Sequence, residues 1–172
     1  MERIFLIGFM GCGKSTVGRN LARAMNWRFI DLDTFIQDKE KRTISEIFSH
    51  EGEEAFRLME KKALEEVATF SQVVVATGGG VPCYYQNLEL MKKTGLTIYL
   101  KLTPKELTDR LLPARKSRPL IAHKTDEELL AFIEEKLAQR EPFYCKASIV
   151  ADATATSVAP YLRIIRMHQS TL

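Results

Sequence analysis

The stretch Gly8-Phe9-Met10-Gly11-Cys12-Gly13-Lys14-Ser15-Thr16 decides how the rest of this 172-residue chain is read. Its spacing is G-x-x-x-x-G-K-S, the P-loop. Glycines let the backbone fold into a nest whose N–H groups point inward at phosphate oxygens. A helix beginning near Lys14 adds the positive end of its dipole. In that setting Lys14 can reach the β- and γ-phosphates of a nucleoside triphosphate, Ser15 can hold Mg²⁺, and Thr16 can offer a hydroxyl to the α-phosphate. The flanks are those the motif needs. Residues 3–8 (RIFLIG) form a short apolar run, as in a buried strand, and Val17, Leu21 and Met25 recur every four residues, as on one helix face. Cys12 reads as a small loop residue rather than a redox switch.

Working outward, strands and helices alternate. Residues 28–32 (RFIDL) predict a second strand, ending in Asp31 and Asp33. Thr43-Ile44-Ser45-Glu46 has the form of a capping box, and Phe56, Met59, Ala63, Val67 and Phe70 keep helical spacing after it. Residues 72–76 (QVVVA) predict a third buried strand, cut off by Gly78-Gly79-Gly80. Residues 88–91 lie on another helix, a fourth strand spans 96–102 (LTIYLKL), and Thr103-Pro104 opens a helix. Residues 112–124 (LPARKSRPLIAHK) carry two prolines and no period, and read as a mobile loop. A long helix follows from Asp126 to about Arg140, where Pro142 stops it; a last strand covers 148–151 and a last helix 158–167. This order predicts one α/β domain, residues 1–172, with a parallel sheet covered on both faces. Ligands of such sheets bind at the carboxyl ends of the strands, where each glycine or acidic cluster falls.

Composition narrows the setting. At 45% hydrophobic and 27% charged residues the composition is that of an ordinary globular protein. The net charge of +3 is scattered rather than gathered in the stripe common in nucleic-acid binders and also suits small anionic substrates, so charge alone decides little. Three cysteines without a CxxC pair argue against a disulfide framework and a structural zinc site, and for a reducing compartment. No apolar run approaches the ~20 residues of a membrane span, and the run at 4–7 is too short for a signal-peptide core. A cytoplasmic, monomeric protein is expected.

The remaining question is where the phosphate goes. A switch GTPase needs a DxxG, which is absent, and His123-Lys124-Thr125-Asp126 follows the proline-bearing loop rather than the strand a guanine reader requires. A mechanical or nucleic-acid ATPase places a carboxylate at the end of an apolar strand, but here the third strand ends in Thr77 and glycines. A small-molecule kinase remains. Asp31 and Asp33, two apart on an extended strand, would share a side. One can help hold a hydrated Mg²⁺ and the other can accept a substrate hydroxyl's proton; the plainer reading is an N-cap beside a solvated carboxylate. Three consecutive glycines mean that the backbone approaches something closely or turns sharply. Arg57 lies about 100° from Phe56, at the edge of the apolar stripe, with Glu60 at i+3 to orient it; a surface salt bridge has the same sequence signature. Arg115, Lys116 and Arg118 supply positive charge to a loop able to close over a transferring phosphoryl group. Arg140 either caps its helix or reaches the substrate.

Taken together these residues resemble the shikimate kinases. The loop at 8–15 is similar to that family's G-x-M-G-x-G-K-S/T form. So are FIDLDTFI at 29–36, ISEIFSHEGEEAFRLME at 44–60, VVATGGG at 74–80, RPLI at 118–121 and REPFY at 140–144. The resemblance implies a P-loop αβα sandwich with strand order 2-3-1-4-5, a substrate region at about 33–61 and a lid at about 112–124. It implies transfer of the ATP γ-phosphoryl group to the 3-hydroxyl of shikimate. Asp33 would be the base and bind ring hydroxyls, and Asp31 would sit near Mg²⁺ through water. Arg57 and Arg140 would grip the carboxylate, with Glu60 holding Arg57, and Gly79 and Gly80 would line the shikimate site. Lys14 and Arg118 would stabilise charge on the moving group, Gly11, Cys12, Gly13, Ser15 and Thr16 would cradle the phosphates, and Arg110 would stack near the adenine. After the last strand the family often carries D-x-x-[RQ]-x-P; here Asp152 is present, but the later polar residue and proline are not, which leaves backbone groups to serve the adenine. A kinase of another polyol acid such as gluconate, or a nucleotide-binding regulatory domain without catalysis, are the alternatives.

Overall fold

A computed structural model describes residues 2–114, 121–155 and 157–170. Five strands, β1 (Arg3–Ile7), β2 (Arg28–Asp31), β3 (Val73–Ala76), β4 (Leu96–Lys101) and β5 (Ile149–Asp152), form one parallel sheet in the order β2-β3-β1-β4-β5. Among the described residues the helices are α1 (Lys14–Met25), α2 (Leu32–Glu40), α3 (Ile44–Val67), α4 (Asn87–Thr94), α5 (Pro104–Leu111), α6 (Asp126–Tyr144) and α7 (Ala159–Gln169). None of them is long and apolar enough to cross a membrane.

Successive strand residues point to opposite faces, yet Ile4, Phe5, Leu6 and Ile7 are all fully buried, as are Val73, Val74 and Val75. Both faces of the central strands are therefore covered by helices, which is why these runs are continuously apolar rather than alternating. The pairing register then fixes the site. Leu6 and Asp31 both lie opposite Ala76. The segments leaving β1, β2 and β3 consequently emerge at one edge of the sheet.

Local sequence sets the helix starts. Thr43, Thr103 and Thr125 each accept a bond from the backbone N–H three residues on, and Glu46, Glu106 and Glu128 complete three capping boxes. Gly52 (φ 81°, ψ 178°) breaks α3 into two differently directed pieces.

Two expectations are corrected. The second strand ends at Asp31, not Leu32. The Asp31 carboxylate accepts from the Thr34 N–H at 3.4 Å and caps α2, so Asp33 sits in a helix's first turn rather than on an extended strand. A short acceptor just past an apolar run competes well for the orphan N–H groups of a new helix. Pro142 does not stop the long helix either. It falls in the last turn of α6, where it removes a single donor, and the helix still closes with Cys145 N–H bonded to the Glu141 carbonyl at 2.9 Å.

Gly95, after α4, shows space rather than conformation selecting a glycine. Its backbone is extended (φ −170°), which any residue adopts, but a Cβ would lie 2.7 Å from the Arg3 carbonyl oxygen. Gly→Ala at a compatible backbone stabilises by about 0.4–1 kcal/mol through the unfolded chain, whereas overpacking costs about 1–3 kcal/mol. Gly95→Ala is therefore expected to lower stability by about 1–2 kcal/mol in urea unfolding. An unchanged or raised midpoint would show that β1 yields freely at Arg3.

Candidate active site

The P-loop joins β1 to α1. Gly11 (φ 83°) and Gly13 (φ 99°) hold backbone conformations that side chains disfavour, and they shape the nest. Lys14 folds over this loop, its Nζ donating to the Gly8 and Phe9 carbonyls at 2.7 and 2.9 Å. Ser15 Oγ donates to Asp31 Oδ2 at 2.7 Å, which ties the start of α1 to the end of β2. Above them lies a cavity of about 530 Å³ lined by backbone and side chains of the loop, by Ser15 and Thr16, by Asp31, Asp33, Thr77, Gly78 and Gly79, and by Arg110. Cys12 is different: its side chain is buried in the core, so only its backbone is available to a phosphate.

Arg110, on α5, is brought to the edge of this cavity. Its guanidinium donates to the Cys12 carbonyl at 3.2 Å and to the Ala153 and Thr154 carbonyls at 2.6 and 3.0 Å. It thus fastens the P-loop to the segment after β5. That segment is closed by Asp152, whose Oδ1 accepts from the Thr154 N–H at 2.8 Å. Arg118, with Arg115 and Lys116, lies outside the described residues.

The turn after β3 gathers the second half of the site. Gly78, Gly79 and Gly80 have no left-handed φ; what they supply is room. A Cβ at Gly78 would fall 2.9 Å from Glu60 Oε1 and 3.0 Å from Asp33 Oδ1. One at Gly79 would fall 3.3 Å from Arg140 Nη1, and one at Gly80 2.8 Å from Arg57 Cζ. Asp33, Glu60, Arg57 and Arg140 therefore converge on one ribbon of bare backbone, beside the P-loop. Arg57 is no surface salt bridge. It is 8% exposed and donates from Nη1 to Glu60 Oε2 at 2.7 Å, with Glu60 itself 1% exposed.

Sequence reasoning missed two of its supports. Glu53 Oε1 accepts from Arg57 Nε and Nη2 at 3.2 and 3.0 Å, and the Tyr84 ring lies 4.5 Å from Arg57 Cζ. Glu53 stands four residues before Arg57, a helical pair spacing that would have found it. Tyr84 follows the glycine turn and carries no such signal. Tyr144, also missed, donates its hydroxyl to the Gly79 carbonyl at 2.5 Å.

Burial acts on the two carboxyls facing the ribbon. It raises Asp33 above the usual aspartate range, Asp31 adding to the effect while Lys14 and Arg57 oppose it. It raises Glu60 to about 7, against the attraction of Arg57 and Arg140 and with a further push from Asp33. The donor set suits a hard divalent ion. Ser15 Oγ and Asp31 present oxygens at the cavity, and among the described residues no cluster of three or more His, Cys, Asp or Glu stands ready. One or two protein oxygens completed by water and phosphate is how Mg²⁺ is commonly held.

A glycine nest between a buried central strand and a helix that begins with Lys-Ser, on a parallel sheet of order 2-3-1-4-5, defines a P-loop phosphate-binding protein. The family model described as "Shikimate kinase" matches residues 10–167. The chain is 51% identical over 147 residues to shikimate kinase from Phocaeicola vulgatus, covering 86% of this chain and 84% of that one. It is 48% identical over 153 residues to that from Parabacteroides distasonis, covering 89% and 88%. Among solved structures, shikimate kinase from Bacteroides thetaiotaomicron superposes with a TM-score of 0.86 at 42% identity, over 99% of this chain and 96% of that one. The Acinetobacter baumannii enzyme in complex with shikimate gives 0.84 at 34% identity, over 99% and 94%. The chain belongs to the shikimate kinase family.

The Glu60 shift has a measurable consequence. Its folded value of about 7 lies above the usual 4.5, so the folded state holds this proton more tightly than the unfolded chain. The stability so gained is complete below pH 4.5 and is lost as pH rises to about 7. In urea unfolding, the wild-type midpoint is expected to fall relative to Glu60→Gln across that window. A difference that stays flat with pH would mean that Arg57 keeps Glu60 ionised throughout.

Proposed function

We propose that this chain transfers the γ-phosphoryl group of ATP to the 3-hydroxyl of shikimate, giving shikimate 3-phosphate and ADP. The observation that carries the reading is the convergence of Asp33, Arg57 and Arg140 on Gly78–Gly80 at the rim of the P-loop cavity. A cyclic hydroxy acid needs such a pairing: cations for its carboxylate at one end and a carboxylate for its hydroxyls at the other.

Arg57, aimed by Glu60 and Glu53, grips the substrate carboxylate together with Arg140, a task suited to planar guanidinium forks. Gly79 and Gly80 let the ring approach the backbone. Asp33 accepts a hydrogen bond from the attacking hydroxyl and takes its proton as the new P–O bond forms, and its raised pKa brings it closer to the working pH of a general base. The nest at Gly11–Gly13 and the α1 N-terminus hold the phosphates, with Thr16 beside them. Lys14 leaves its loop carbonyls to follow the γ-phosphate, and Arg118, which lies outside the described residues, adds positive charge to the transferring group. Mg²⁺, held by Ser15 and through water by Asp31, would neutralise phosphate charge. Arg110 borders the nucleotide while fastening the P-loop. All these groups come from one chain, so a monomer suffices. The free cysteines suit a reducing, cytoplasmic setting.

The defining experiment couples ADP release to a screen of shikimate, gluconate and nucleoside monophosphates as acceptors. Turnover with shikimate alone is expected. Turnover with gluconate would move the reading to another polyol-acid kinase, and none with any acceptor would leave a nucleotide-binding regulatory domain. Asp33→Asn should reduce kcat by about 10²-fold or more while ATP affinity holds within about twofold. Retained turnover would remove Asp33 as the base. Arg57→Ala should raise the shikimate KM by about 10²-fold with the ATP KM little changed, as expected for loss of a charged hydrogen-bonding clamp. An unaltered shikimate KM would sink the clamp.

A further inference from the structure

The REPFY motif at 140–144 lends Arg140 to the reaction, yet its tyrosine is the more deeply buried of the two. Tyr144 is 0% exposed, and its hydroxyl donates to the Gly79 carbonyl at 2.5 Å. The Arg140 guanidinium stands over the same turn, its Nη1 3.3 Å from where a Cβ on Gly79 would lie, and its charge acts on that hydroxyl. Arg140 and Tyr144 are one turn apart on α6, so both project from one face. On the other side Gly79 stands against the P-loop, its Cβ position 3.5 Å from the Gly8 carbonyl. The phenol oxygen thus sits where α6, the glycine turn and the phosphate loop meet. Its ring is fixed from beneath: Tyr99 packs on it with centroids 5.1 Å apart, and Tyr99 in turn bonds Glu141 Oε1 at 3.3 Å. Phenylalanine would fill this space equally well, so packing alone does not call for the hydroxyl.

We infer that Tyr144 is a positioning residue for the acid substrate, its hydroxyl locking the Gly79 backbone and the Arg140 guanidinium in the relation that the substrate carboxylate meets. This rests on the proposed reaction and assigns a task to a group that never touches the reacting atoms. It also gives a use to the passage of α6 through Pro142. A helix that ended at Arg140 would carry no Tyr144 on the same face.

The test is steady-state kinetics on Tyr144→Phe, with urea unfolding alongside. One lost hydrogen bond at a preorganised site predicts a rise of about five- to tenfold in the shikimate KM. The kcat and the ATP KM should stay near wild type, and the urea midpoint should fall only by the modest amount that one buried hydrogen bond carries. In an Arg140→Ala background the same substitution should have little further effect on the shikimate KM, because positioning that acts through Arg140 is lost with it. An unchanged shikimate KM overturns the inference. So does an equal rise in both backgrounds, or a joint rise in both substrates' KM with lost stability, which marks a general role in the fold. Wild-type protein inactive on shikimate would sink the reaction itself, a result separate from these.

Discussion

Everything at the site depends on the absence of side chains at Gly78, Gly79 and Gly80. Four elements aim polar groups at that ribbon: Asp33 from α2, Glu60 and Arg57 from α3, Arg140 and Tyr144 from α6, and the P-loop that follows β1. A methyl group at Gly80 would fall within 2.9 Å of both Arg57 Cζ and Nη2, and one at Gly78 would press on two carboxylates. The constraint is steric rather than conformational. The P-loop glycines are the reverse case, since Gly11 and Gly13 hold left-handed φ values. Two glycine clusters lie side by side, one held by torsion as well as space and the other by space alone. Each bounds one half of a site for two substrates.

What brings the halves together is the sheet register. Leu6 and Asp31 both face Ala76, so the P-loop, the Asp31 cap and the glycine ribbon leave the sheet at one level. The Ser15–Asp31 bond and the Thr77 hydroxyl, which donates to the Leu6 carbonyl at 3.1 Å, stitch the three exits. A slip of one residue in β3 would turn Thr77 and the glycines to the wrong face. Continuous burial of β1 and β3 is thus more than stability. It fixes the register that sets the P-loop beside the glycine ribbon.

Much of this was legible in the sequence, and the failures have causes. Strand–helix alternation and the spacing from Gly8 to Ser15 sufficed for a parallel α/β domain with a P-loop, because apolar periodicity and a glycine nest are local properties; the strand order came only with the family resemblance. Asp33 was misplaced on the strand because the capping of α2 by Asp31 is a contest between two local conformations, and an apolar run ending in Asp-Leu-Asp favours neither on its face. Pro142 was misread because a proline's effect depends on how many helical donors remain after it, which only the position of the helix end reveals. Arg57 could not be separated from a surface ion pair, since burial comes from what α2, α3 and the glycine turn place around it. Cys12 sits among phosphate-binding residues in sequence while its thiol faces the core.

The buried charges raise a last point of energetics. Burying Arg57 with Glu60 brings two desolvation costs that one ion pair rarely returns in full, and an apolar pair of equal volume would serve folding as well or better. The raised Glu60 pKa is the trace of that cost. What an apolar pair cannot do is hold a guanidinium still. Glu60 and Glu53 together engage Nε, Nη1 and Nη2, and the Tyr84 ring covers the guanidinium at 4.5 Å. One N–H on each terminal nitrogen is not used by these two carboxylates. The stability surrendered at this pair returns as orientation. The Tyr144 hydroxyl, bonded to the Gly79 carbonyl at 2.5 Å, holds the other side of the glycine ribbon in the same way, one helical turn from Arg140.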